Sequence, residues 1–224
     1  MNELKPDECR VLGVLIEKAL TTPGVYPLSL NAVVTGCNQK SNRNPVVQFD
    51  EGLAQAALDG LRAKGLVNEV YLSGSRVVKY RHLTQELLNI HGPAIAILAE
   101  LLLRGPQTSG ELRNRASRMK PIESLEIAQN VLNNMIEMDS PLVRMISPAP
   151  GSRAERYQQL LCEDLHPIDT AAYQTPQPSG TTTESIPDQS ELVQRVEKLE
   201  SELGVLVNIV RQIAQKLDIN PHDL

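Results

Sequence analysis

The segment 74–83, G-S-R-V-V-K-Y-R-H-L, returns at 151–160 as G-S-R-A-E-R-Y-Q-Q-L, 77 positions later. A fixed-period echo of this kind means that one supersecondary unit is built twice. The residues upstream of each copy agree. In the first half, an apolar helix over about 6–20 meets a Pro23-Gly24 break. A short helix then starts near Ser29, whose hydroxyl can cap open backbone N–H groups, and ends near Cys37. After a polar loop over 38–45, a longer helix is predicted from about 50 to 64. Its apolar face is read as Leu53, Ala57, Leu58 and Leu61. Gly65, suited to a left-handed C-terminal position, stops it. A strand to Leu72, a turn at 73–75 and a returning strand over 76–83 make a hairpin.

The second half repeats that order. Helices are predicted over 93–103, 109–118 and 124–138, followed by strands over 142–146 and 153–161 that flank a Pro-Ala-Pro-Gly turn. Each half therefore reads helix, helix, helix, hairpin. A trihelical core whose third helix runs into a β-ribbon is the winged-helix arrangement, a variant of the helix-turn-helix. The chain has no Trp and one Phe, which also suits packed helices better than a sandwich or barrel. The expected fold is mainly α with small β-wings (α+β). Domains are expected at 1–90 and 91–165, then a linker over 166–189 and a coiled-coil helix over 190–218.

Three stretches carry a family resemblance: Leu12-Gly13-Val14-Leu15-Ile16-Glu17-Lys18, the loop 37–46 (C-N-Q-K-S-N-R-N-P-V), and Gly105-Pro106-Gln107-Thr108 onward to Arg115. Over residues 4–162 the chain resembles the bacterial YceH-like family. The resemblance implies two tandem winged helices and names no reaction.

The tail reads differently. Residues 166–189 are rich in Pro, Thr, Ser and Gln, the composition of a flexible linker. Leu192, Val196, Leu199, Leu203, Leu206, Val210, Ile213 and Leu217 then recur at alternating steps of four and three, a heptad seam expected to form a homodimer. Val193, Val207 and Ile209 widen that stripe, which leaves open a helix folded back on its own chain.

Charge separates body from tail. Lys and Arg against Asp and Glu number 10 to 9 over 1–90, 8 to 9 over 91–165, and 4 to 9 over 166–224. The net charge of -5 thus belongs to the tail, and the body is neutral. The N-terminus lacks the apolar stretch of a secretory signal. The longest apolar run, 94–103, is half a membrane span and contains Glu100. Cys9, Cys37 and Cys162 show no C-x-x-C spacing. A cytoplasmic protein with buried thiols, no membrane association and no cofactor or metal is expected.

No phosphate loop, G-x-G-x-x-G, G-x-S-x-G or H-E-x-x-H is present, and the four histidines are isolated, so an enzyme is not expected. His82 is read as a packed or solvated wing residue. The leading expectation is a double-stranded DNA reader whose wings and loops contact phosphates. Its candidates are Lys40, Arg43 and Gln48 before the first third helix, and Arg76, Lys79 and Arg81 on the first wing. Arg113, Arg115, Arg118 and Lys120 precede the second third helix, and Arg153 and Arg156 lie on the second wing. Alternation places Val78, Tyr80 and His82 on one face of the wing strand and Lys79 and Arg81 on the other. The third helices argue the other way. The first opens with Asp50-Glu51, and the second has Glu123, Glu126, Gln129, Asn130, Asn133, Asn134 and Glu137 with no basic residue. A protein-docking adaptor on the same scaffold is therefore the competing expectation. Deleting residues 189–224 should convert a dimer to a monomer in sedimentation; an unchanged mass would remove the coiled-coil assignment.

Overall fold

Helix α1 (Pro6–Thr21) is buried along ten successive residues, Glu8 to Glu17, and this sets the plan of the molecule. A helix covered on every side lies at the centre of a core rather than on its rim. Its cover comes from both halves of the chain. Three elements of the first repeat pack around it: α2 (Leu30–Cys37), α3 (Glu51–Ala63) and β3 (Lys79–His82), which pairs with β2 (Val67–Val70). From the second repeat comes α5 (Pro93–Arg104), itself buried from Ile95 to Leu103. The two helices pass closely at Gly13, where an added Cβ would stand 3.0 Å from Leu103 Cγ and Cδ2. The computed structural model describes residues 3–71, 77–148, 151, 153–162 and 166. These residues fall within one compact unit, and the two repeats share one continuous core. Arg76, all but His166 of the linker, and the heptad residues Leu192 to Leu217 lie outside the described residues.

The repeat is real at the level of elements. In the first half, α1, β1 (Leu28–Ser29), α2, α3, β2 and β3 follow one another. In the second, α5, β4 (Gln107–Thr108), α6 (Ser109–Ala116), α7 (Leu125–Ile136), β5 (Val143–Ile146) and β6 (Arg156–Gln159) do the same. A short helix, α4 (Thr84–Leu88), bridges them. Helix caps match by position. Ser29 Oγ accepts from Ala32 N at 3.4 Å, and Thr108 Oγ1 accepts from Glu111 N at 3.3 Å. Asp50 Oδ1 accepts from Leu53 N at 2.7 Å, and Ser124 Oγ accepts from Ile127 N at 3.1 Å. Each cap satisfies a backbone donor that the first helical turn leaves open.

Both sheets are antiparallel and three-stranded, ordered β1-β3-β2 and β4-β6-β5. The hairpins were legible in sequence, but the short strands β1 and β4 were not, because two residues cannot display a period of two. In the first sheet Leu28 faces Tyr80 and Asn68 faces Arg81; in the second Gln107 faces Tyr157 and Arg144 faces Gln158. Tyr80 and His82 are buried while Arg81 is exposed, as alternation requires. One expected core position moves. Leu53 is 38% exposed, and the buried stripe of α3 is Ala54, Ala57, Leu58 and Leu61. That set follows i, i+3, i+4, i+7, the spacing of a single helix face, whereas Leu53 lies one residue off it. Gly65 ends α3 with φ 73°, as expected of a left-handed C-terminal residue. No helix among the described residues is long and apolar enough to cross a membrane. Cys9, Cys37 and Cys162 are all buried.

His82 sits on the inner face of the first sheet, its ring 5.9 Å from that of Tyr26. Its backbone N–H donates to the Tyr26 hydroxyl at 2.7 Å. Burial drives its pKa down, Glu86 partly opposes this and Arg81 adds to it, and the result is about 4. The unfolded chain, with an ordinary imidazole, takes up this proton first. Stability is therefore lost as pH falls from about 6.5 toward 4, by at most about 3 kcal/mol. His166, also lowered chiefly by burial, acts in the same direction. An NMR titration should place the His82 midpoint near 4; a midpoint at the ordinary imidazole value would contradict the buried, neutral ring.

Candidate nucleic-acid interface

Twelve residues were candidates for phosphate or base contact, and the structure sorts them by what surrounds them. Arg43 is not on the surface. Its side chain has no exposure, and Nη2 lies 2.6 Å from Glu17 Oε2 while Nη1 lies 3.2 Å from Oε1. Nε and Nη2 also donate to the Gly36 carbonyl at 3.1 and 3.0 Å, and Nη2 to Gln39 Oε1 at 3.0 Å. The expectation that Arg43 contacts DNA is corrected: its charge is consumed by a carboxylate inside the core. Arg118 is exposed, but its Nη2 lies 2.8 Å from Glu17 and 3.2 Å from Glu100.

These two carboxylates were the signal that sequence reasoning passed over. Glu17 follows Val14-Leu15-Ile16 and Glu100 follows Ile97-Leu98-Ala99, the same place in each repeat. A carboxylate set in an apolar helical run must find a buried cation. Burial pushes the Glu17 carboxyl up; hydrogen bonds and charge from Arg43, with Lys18 and Arg118, reverse this and leave it below the usual range. Arg104 lies 3.4 Å from Glu100, and its Nη1 reaches Asn42 Oδ1 at 3.0 Å. Asn44 N donates to the Leu103 carbonyl at 2.9 Å, and buried Arg10 donates to the Pro45 carbonyl at 2.6 Å. Loop 42–45 of the first repeat is thereby fastened to α5 of the second.

Other candidates have local duties. Arg113 donates to the Glu123 carbonyl at 3.0 Å and steadies the entry to α7. Arg115 bonds Gln107 Oε1 at 2.7 Å and pairs with Glu111 at 3.0 Å. Arg156 Nε reaches the Ser147 carbonyl at 3.4 Å across its hairpin. Lys40, Gln48, Lys120 and Arg153 are exposed. Lys79 is half-buried and Arg81 exposed, and both project from the outer face of the first sheet.

The third helices carry the opposite charge. On α3 the exposed groups include Glu51, Leu53 and Asp59. Its one cation near the sheet, Arg62, is held by Asp59 at 3.2 Å and Glu69 at 2.9 Å. On α7 they are Leu125, Glu126, Ile127, Gln129, Asn130, Asn133 and Asn134. The caps align Leu53 with Ile127 and Gln55 with Gln129. Tyr80 turns toward α3, its hydroxyl donating to Gln55 Oε1 at 3.0 Å. Its neighbours Lys79 and Arg81 must then point to the other side of the sheet. Lys79 and Arg81 thus lie on the side of the sheet away from the Tyr80–Gln55 contact with α3.

The architecture defines an α+β protein of two helix–hairpin repeats fused through one core and through the pair of Arg118 with the buried Glu17. Residues 4–152 match the family described as "Protein of unknown function, DUF480", and the chain belongs to that family. A "UPF0502 protein" of Pelobacter propionicus is 52% identical over 162 residues, covering 72% of this chain and 74% of that protein. One from Hahella chejuensis is 43% identical over 213 residues, covering 93% and 95%. A third, from Shewanella piezotolerans, is 40% identical over 220 residues, covering 96% and 99%. The resemblance to an uncharacterised bacterial family is thus borne out.

Arg43→Ala should leave Glu17 partly unpaired in the core and cost about 3–5 kcal/mol. Lys40→Ala, an exposed change on the same loop, should stay within about 0.5 kcal/mol. Chemical denaturation checks both; equal, small effects would remove the structural role assigned to Arg43.

Proposed function

We propose that the chain is a non-enzymatic, tandem winged-helix protein that binds duplex DNA and acts in transcriptional regulation. The observation carrying this reading is the order of elements in each repeat. A short capped helix, a longer third helix and an immediate hairpin follow one another twice, with a matching sheet order each time. That order is the one in which winged helices present a helix and a ribbon to a duplex. Lys40 and Lys120 on the loops entering the third helices, and Lys79, Arg81 and Arg153 on the hairpins, supply charge for phosphate contacts. None of these five has an ion-pair partner among the described residues. The heptad tail, read from sequence, supports a homodimer carrying four such units, suited to a two-fold site. Three buried cysteine thiols fit a reducing, cytoplasmic location.

A second reading is favoured by Leu53 and Ile127, apolar groups exposed at matching places on the two third helices, 38% and 37% respectively. With carboxylates beside them and no free cation, these faces suit a protein partner better than a phosphate backbone. A salt titration with random duplex DNA separates the readings. DNA binding predicts log affinity falling linearly with log salt at about 0.9 per neutralised phosphate. No detectable binding at about 50 mM salt, where phosphate contacts are strong, would reject it in favour of the adaptor.

A further inference from the structure

We propose that the duplex is held first by the outer face of the first sheet, with Lys79 and Arg81 on its phosphates, and not by the third helices. The inference rests on the DNA-binding reading above and names the surface that performs it. Cross-strand register places Ser29, Val70 and Lys79 side by side on that face, with Asn68 beside Arg81. No carboxylate is among them. Glu69 belongs to the opposite face, where Arg62 neutralises it at 2.9 Å. Among these described residues the outer face thus sets two cations with no carboxylate, whereas α3 offers Glu51 and Asp59 at positions where a groove-bound helix would meet phosphates.

The second repeat supports an electrostatic role for this site. Lys79 aligns with Arg156 through the same partners, β1 in one sheet and β4 in the other. The neighbouring cross-strand pair is Asn68–Arg81 in the first sheet and Arg144–Gln158 in the second. The arginine has changed strands, yet each sheet keeps one cation at that site, since directly opposed side chains lie within about 5.5 Å. Arg144 was not among the sequence candidates. The repeats are not equivalent, however. Gln158 is buried, accepts from Arg144 at 2.9 Å and donates to the His166 carbonyl at 3.2 Å, so that end of the second sheet is covered. Its counterpart Arg81 stands open. The first sheet is the accessible one and leads the contact.

The test uses the full chain, a short random-sequence duplex and two double variants, with thermal melts as the folding control. Lys79→Gln with Arg81→Gln removes two phosphate contacts. It should reduce the salt slope by about 1.8 and weaken binding about tenfold or more at moderate salt. Glu51→Gln with Asp59→Asn removes acid from α3 and should leave affinity within about twofold, because that face is away from the phosphates. An unchanged slope in the first variant, or tighter binding by about tenfold in the second, would overturn the sheet-led contact while leaving DNA binding intact. Absence of binding by the unsubstituted chain would overturn the DNA reading, and this proposal with it.

Discussion

Two carboxylates near the C-terminal ends of two central helices constrain everything around them. Glu17 and Glu100 are 1% and 0% exposed, and taking an ion of that size out of water costs several kcal/mol even after relaxation. Neither helix can occupy the core unless a guanidinium comes with it. Arg43 arrives on the loop between α2 and α3, and Arg118 just beyond the end of α6, so each loop is pinned to the first helix of its own repeat. Arg118 also reaches Glu17 and crosses the boundary between repeats. Together with the close passage at Gly13 and the anchoring of Asn44 to α5, this turns a sequence duplication into one core.

Much of this was legible beforehand, and the parts that were not have a common cause. Caps at Ser29 and Asp50, the left-handed Gly65 and the alternation of Tyr80, Arg81 and His82 are local: neighbouring residues set them, and they were read from neighbouring residues. Arg43 and Arg118 depend on partners 26 and 101 positions away, distances over which one sequence carries no pairing information. The loop around Arg43 looked polar and solvated because its purpose is to deliver charge inward. Leu53 shows a smaller failure of the same kind, since two adjacent apolar stripes were available on α3 and only packing against α1 and α2 selects between them.

The functional consequence is a division of labour among cations. Sequence alone treats the eleven cationic candidates as surface charge, whereas the structure buries Arg43 in the core, ties the exposed Arg118 to the buried Glu17 and Glu100, and assigns Arg113 and Arg115 to loop and helix entry. What remains for a polyanion is on the hairpins and on Lys40 and Lys120, in the loops that precede the third helices. Such a molecule would read little sequence through base edges, because phosphate contacts position without specifying.

The two repeats form a single cooperative unit held by α1 against α5 and by Arg118 on the buried Glu17. Native-state hydrogen exchange on the full chain measures this directly. The slowest amides of α1 and of α5 should share one opening free energy and one denaturant dependence, as the products of one global unfolding. Exchange of α5 through an opening of lower free energy, with α1 still protected, would show two separable domains and contradict the account.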